Sequence, residues 1–146
     1  MEPLQLSHEG FKAYDIRGVV PTEVNEDLAY RVGRAYGDLY HPKTMCVGYD
    51  IRPSSQAIAQ AVMDGLMDSG ADVYDIGLCG TEMMYFGTFY YGMAGGMMIT
   101  ASHNPSNYNG IKIVRQGGVP VSADTGLKDI EALAFSGNFQ EGKSKG

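Results

Sequence analysis

The chain has 146 residues, of which 44% are apolar and 19% charged, enough to bury one sizeable core in a single domain over residues 1–146. Eleven basic residues against 17 acidic ones leave a formal charge of -6, which excludes the broad cationic face that nucleic acid or an anionic membrane surface requires. The same excess repels phosphate at long range, so a phosphate site here needs its own local cations and backbone N–H donors.

Residues 12–20 predict a first strand. From Asn25 the residues Leu28, Val32, Ala35, Tyr36 and Leu39 recur at helical spacing behind a capping asparagine and two acids, Glu26 and Asp27, predicting a helix over 26–39. Residues 44–48 form a short apolar run that breaks at Tyr49, and Ser54 or Ser55 then caps a helix running to Asp68, stopped by Gly70. Residues 71–76 give another strand, 81–91 a weaker helical pattern, and Gly95 and Gly96 open an apolar strand over 97–100. A further strand covers 111–114 and a last helix 126–134. Strands alternating with helices predict a sheet covered on both faces, and the ten residues 101–110 are too few for a helical crossover, so the last strand pair is antiparallel. The expected fold is α/β, a three-layer α/β/α sandwich around a mixed, mostly parallel sheet, with ligands at the strand ends.

Cys46 and Cys79 have neither the number nor the spacing of a zinc site or a disulfide framework and read as reduced, cytosolic thiols. No basic N-terminal segment leads into a hydrophobic stretch, and the most apolar window, residues 93–99, is too short to span a bilayer. The expectation is an unexported cytoplasmic chain with no nucleic-acid or membrane partner. Residues 137–144 satisfy the pattern G-x-x-x-x-G-K-S, but that motif works by joining a strand to a helix whose N-terminus faces phosphate, and here a helix precedes it. The paired methionines Met83, Met84, Met97 and Met98 read as core filling rather than a soft-metal site.

The loop from Thr100 to Gly110 gathers hydroxyl, imidazole and amide groups directly after a buried strand, a position that favours function. Ser102 and His103 do not read as a hydrolase pair, because neighbours in extended chain project to opposite sides and no G-x-S-x-G elbow surrounds the serine. A phosphate on Ser102 would carry about -1.5 to -2 charge and must meet cations. Arg17, Lys112 and His103 are the candidates. Lys112 lies between Ile111 and Ile113, so it points away from the apolar face of its strand.

The stretch TASHNPSNYNGIKI over residues 100–113 resembles the phosphoserine loop of the α-D-phosphohexomutases. Residues 11–18, FKAYDIRG, resemble that family's opening motif, and residues 48–55, GYDIRPSS, its second-strand motif; the three occur in family order. The resemblance implies the N-terminal domain of a phosphomannomutase or phosphoglucomutase, catalysing a reversible 1,6-phosphoryl shift on a hexose through a bisphosphate. Ser102 would donate and accept the phosphoryl group. Arg17 and Lys112 would offset its charge, Lys112 or His103 would shuttle the proton, and His103 and Tyr14, with Arg17, would line the sugar side.

By the same resemblance, Mg²⁺ would reach this chain through an oxygen of the Ser102 phosphate, its other ligands lying in later domains. The implied partners are a hexose 1-phosphate, 6-phosphate and 1,6-bisphosphate and the remaining domains of the full-length enzyme, without which the fragment is expected to be inactive. Two alternatives stay open: a phosphoglucosamine mutase domain, disfavoured by Ala13-Tyr14-Asp15 in the opening motif, and a non-catalytic phosphate-binding module.

Overall fold

Six strands and four helices are laid out over residues 1–146, all of which the computed structural model describes. In chain order they are β1 (Ile16–Val19), α1 (Glu26–Tyr40), β2 (Thr44–Tyr49), α2 (Ser55–Asp68), β3 (Asp72–Leu78), α3 (Thr81–Tyr90), β4 (Gly95–Ile99), β5 (Tyr108–Arg115), β6 (Val119–Pro120) and α4 (Lys128–Ser136). The sheet order is β1-β5-β4-β2-β3, and the short β6 shares with β1 the outer edge of β5. β3 and β4 run parallel to β2, whereas β5 runs antiparallel to β4, β1 and β6. Only β5 therefore opposes the common direction, as expected for a mixed, mostly parallel sheet whose last long pair is joined by a connection too short for a helix.

Local chemistry sets the helices. The Asn25 side chain accepts from the Leu28 backbone N–H and starts α1, satisfying one of the donors a helix N-terminus leaves unpaired. Leu28, Val32, Ala35 and Tyr36 then share one buried stripe. α1 and α2 cross closely because both carry glycine at the contact: a methyl on Gly33 would run into the Val62 carbonyl oxygen, and one on Gly65 into that of Tyr30. Backbones can approach this far only without a Cβ.

The two faces of the sheet are covered unequally. On one face α1, α2 and α4 bury a large core that includes Ile16, Met45, Val47, Met97, Ile99, Ile111 and Ile113. On the other, α3 packs over β2 and β4 and closes a small core of Cys46, Met84, Met93, Met98 and Val114. Three layers are present as expected, the third being a single helix over the middle of the sheet. It leaves β1 and the part of β5 around Lys112 open on one flank of α3 and β3 open on the other.

Several expected boundaries shift. Residues 12–15 bend instead of extending, because Lys12 N–H bonds the Asp15 carbonyl over 2.9 Å; the first strand is only Ile16–Val19. The strand expected over 111–114 begins at Tyr108, since β1 pairs with Tyr108 to Ile111 and draws the end of the polar loop into the sheet. The last helix starts at Lys128, behind a wide turn over Ala123–Leu127 that holds Gly126 at φ 135°. Of the paired methionines, Met84, Met97 and Met98 are buried as expected, whereas Met83 is 51% exposed. Both cysteines are free thiols. Residues 137–146 run back along α1 and α2, with Asp38 accepting from the Gln140 N–H at 2.7 Å and from Lys143 Nζ at 3.0 Å. The element before the glycine-rich stretch is the helix α4 and not a strand, so the stretch lacks the strand-to-helix context of a phosphate loop. No helix is long and apolar enough to cross a membrane.

Candidate functional site

The loop after β4 is held by the segment that follows β2. Asp50 N–H bonds the Ile99 carbonyl over 3.0 Å, which fixes the start of that segment beside the end of β4. Asp50 then orients its neighbours: Oδ1 accepts from Ser55 Oγ at 2.5 Å and from the Arg52 N–H at 3.0 Å, and Oδ2 lies 3.3 Å from Arg52 Nε. So aligned, the Arg52 guanidinium donates to four loop carbonyls, those of Ser102 (2.9 Å), Asn104 (2.7 Å), Pro105 (2.6 Å) and Tyr108 (3.1 Å). A planar fork of donors is suited to gathering several acceptors at once. Buried Asn109 closes the scaffold, its Nδ2 donating to Ser54 Oγ at 2.8 Å and Ser55 Oγ at 2.9 Å. Neither serine makes a helix-capping bond to α2: Ser54 sits at the cap position in helical conformation without one.

Ser102 adopts φ 54°, one of two non-glycine residues with positive φ, a conformation costing L-residues roughly 1–2 kcal/mol. Its N–H bonds Thr100 Oγ1 at 3.0 Å, and the Asn104 N–H returns to the Ala101 carbonyl at 3.1 Å. The backbone here is thus left-handed rather than extended, which corrects the premise that Ser102 and His103 project to opposite sides of a straight chain. Both side chains are exposed.

Cations converge beside this loop because strand alternation and the missing cover coincide. Ile16, Ile111 and Ile113 point into the large core, so Arg17 and Lys112 stand on the opposite face, where α3 does not reach. Asp15, only 8% exposed, joins them: its Oδ2 accepts from Arg17 Nη2 at 2.7 Å and from Lys112 Nζ at 3.2 Å. Arg17 Nη1 also donates to Asn104 Oδ1 at 3.0 Å, tying the cation pair to the serine loop. Arg17 Nε is buried without a partner, a donor still available to an acceptor. Lys12, Ala13, Tyr14, Asp15, Arg17, Asn104 and Lys112 line one open cavity of about 540 Å³.

Of the residues expected from the sequence, Arg17, Lys112 and Tyr14 therefore share this cavity, while Ser102 and His103 sit on the adjoining loop and do not line it. Asp15, Asn104 and Arg52 were missed as site residues. The signal for Arg52 lay in its spacing from Asp50 and the serine pair within 48–55, a segment quoted for its resemblance but given no role. Metal ligation is not supported by this chain's own side chains: no three His, Cys, Asp or Glu residues gather as a ligand set, and the carboxylate in the cavity, Asp15, is already engaged by two cations.

Fold and site together define an α/β/α domain with a tethered serine loop and a cation pair at the open flank of its sheet. Residues 8–141 match the signature of phosphoglucomutase/phosphomannomutase, alpha/beta/alpha domain I, and the chain belongs to this family. It is 55% identical over 129 residues to the phosphomannomutase of Salmonella typhimurium, a stretch covering 88% of this chain and 28% of that protein. A phosphomannomutase of Klebsiella pneumoniae is 56% identical over 129 residues, 88% of this chain and 82% of that one. Among solved structures, a phosphoglucomutase/phosphomannomutase family protein from Burkholderia thailandensis superposes with a TM-score of 0.84 at 31% identity, over 97% of this chain and 33% of its own. The chain thus spans less than a third of the Salmonella relative.

Proposed function

We propose that this chain is the phosphoserine-bearing domain of a phosphomannomutase/phosphoglucomutase that shifts a phosphoryl group reversibly between the 1 and 6 positions of a hexose. The observation that carries this reading is the shared Asp15 oxygen, which holds Arg17 and Lys112 side by side while Arg17 also grips Asn104 in the serine loop. In a chain of net charge -6, a cation pair assembled at a strand-end loop is the local feature a phosphate needs.

In this reading, Ser102 Oγ attacks the phosphorus of a hexose bisphosphate and the sugar oxygen leaves with a proton. In the reverse step a sugar hydroxyl attacks the phosphoserine and Ser102 recovers its proton. Arg17 and Lys112 counter the charge on the transferring group, and Lys112 or His103 moves the proton. Tyr14, His103 and Arg17 face the sugar. The family's magnesium would meet this chain only at a phosphoserine oxygen, since the residues present do not form a site by themselves; no step is assigned to the ion. The substrates are hexose 1-phosphate, 6-phosphate and 1,6-bisphosphate, the setting is cytoplasmic, and further domains complete the cleft.

Intact mass spectrometry of the chain after incubation with glucose or mannose 1,6-bisphosphate tests the proposal. One added phosphoryl group is expected, absent from Ser102→Ala. A gain that survives in Ser102→Ala, or no gain when the same loop is carried in the full-length protein, would sink Ser102 as the carrier. Mutase turnover by the 146-residue chain alone is expected to be negligible, because positioning and exclusion of water need the rest of the cleft.

A further inference from the structure

The two serines at the head of α2 differ in one respect. Both take a hydrogen from Asn109 Nδ2, Ser54 at 2.8 Å and Ser55 at 2.9 Å, yet only Ser55 also meets Asp50, donating to its Oδ1 at 2.5 Å. The direction of these bonds is fixed. Asn109 Oδ1 takes the Gly110 N–H at 2.9 Å, so the amide nitrogen faces the serines, and a Ser55 hydroxyl that receives from it gives its single proton to the carboxylate. Ser55 and Asn109 are both 0% exposed. Asp50 in turn aims the Arg52 guanidinium, which grips the carbonyl of Tyr108 at 3.1 Å, the residue next to Asn109. The bonds therefore close a ring from Asn109 through Ser55, Asp50 and Arg52 back to Tyr108. In such a buried network each bond polarises the next.

We propose that Ser55 is a positioning residue for phosphoryl transfer: its hydroxyl, aimed by Asn109, sets the Ser102 loop from inside the sheet by way of Asp50 and Arg52. This rests on Ser102 as the carrier. Neither Ser55 nor Asn109 lines the cavity of Arg17 and Lys112, so the effect travels through Arg52, whose fork also reaches the carbonyls of Ser102, Asn104 and Pro105. Hydroxyls at a helix N-terminus ordinarily accept from its free N–H groups. Here both are turned to Asn109 instead. The turn itself does not need the Ser55 side chain, because the Ser55 N–H bonds the Arg52 carbonyl at 3.0 Å and the Asp50 N–H bonds that of Ile99 at 3.0 Å. Ser55→Ala thus removes the hydroxyl and keeps the backbone that carries it.

Paired alanine variants test the proposal, since Ser54 and Ser55 each lose one bond from Asn109 and only Ser55 loses the carboxylate. Phosphoryl uptake from glucose 1,6-bisphosphate, followed by intact mass in the full-length protein that carries this loop, should slow roughly tenfold in Ser55→Ala and stay within about twofold of the parent in Ser54→Ala. In an Arg52→Ala background Ser55→Ala should add little, because residues that act as one unit are not additive. Equal effects of the two serine variants, or full additivity with Arg52→Ala, overturn the proposal. Hydrogen exchange of the 146-residue chain supplies a readout that needs no chemistry. The Asn104 N–H, bonded to the Ala101 carbonyl, and the Tyr108 N–H, bonded to that of Pro105, should exchange roughly tenfold faster in Ser55→Ala and at the parent rate in Ser54→Ala. The amides of α1 should keep their parent rates in both, which separates a loosened loop from a destabilised fold. Equal loop exchange in all three proteins overturns the proposal whatever the uptake. No uptake even in the parent, with the exchange contrast intact, would overturn Ser102 as the carrier and leave the Ser55 relay to the loop standing.

Discussion

The Arg52 guanidinium donates to the carbonyl oxygen of Ser102 over 2.9 Å, across fifty residues of chain. The serine proposed to carry phosphate is thereby held through its backbone, leaving its hydroxyl free for chemistry. Removing the fork in Arg52→Ala strands four carbonyls, and charged hydrogen bonds of this kind are worth about 1.5–3 kcal/mol when intact. Partial access of water to the loop lowers the expected loss to about 2 kcal/mol, read by urea denaturation. Phosphoryl uptake at Ser102 should slow by more than about tenfold, because small misplacement of a reacting group is costly. Arg52→Lys keeps one charge without the planar fork and should recover only part of both. Unchanged uptake in Arg52→Ala would show that the loop holds its own shape.

Ser102 at φ 54° holds a left-handed conformation that its Cβ disfavours. Glycine tolerates that conformation without a Cβ penalty, so Ser102→Gly should be more stable than Ser102→Ala by about 1 kcal/mol, while neither accepts phosphate. Equal melting temperatures for the two variants would argue that the left-handed turn relaxes freely.

Asp15 keeps two cations together. In Asp15→Asn the Arg17 and Lys112 head groups lose the charge between them, and since both are more than a quarter exposed the expected loss is only about 1 kcal/mol. The difference from the parent should shrink as sodium chloride is raised, because screening weakens both the lost attraction and the new repulsion. A salt-independent difference would point to packing instead.

Burial pushes the Cys46 thiol up to about 11 and the Tyr36 phenol up to about 12, from ordinary values of 9.0 and 10.0. Between those limits the unfolded chain has released protons that the folded chain still holds. Stability from these groups is therefore complete below about pH 9 and is lost as pH rises toward the folded values. Urea midpoints should fall progressively from pH 9 to 11. Tyr36→Phe should flatten the upper part of that fall, its hydroxyl making only a long 3.5 Å contact to the Val114 carbonyl. A midpoint that holds constant over this range would contradict the burial of both groups.

The helices were legible because their signals are local. Asn25 capping Leu28 and the stripe through Tyr36 lie within a few turns, and the antiparallel β4–β5 pair follows from the shortness of the loop between them. The serine loop was legible as a motif, for which the charge requirement put forward Arg17, Lys112 and His103 as candidate cations and strand alternation gave the side of Lys112. Boundaries failed where pairing is long-range: Tyr108 joins β5 because β1 lies opposite it, some ninety residues earlier in the chain.

Residue order alone thus determined which segments coil or extend, which face of β5 is apolar, and which loop concentrates reactive groups, since each depends on neighbours a few positions away. Only tertiary structure decided that Arg52 would tether four loop carbonyls and that Asp15 would meet Lys112 across 97 residues. The same holds for the one-sided cover of the sheet: α3 is apolar all round, so no periodicity names the strands it will shield. Packing it over β2 and β4 leaves cations open on one flank and aromatic rings on the other, and that choice is made by the whole fold.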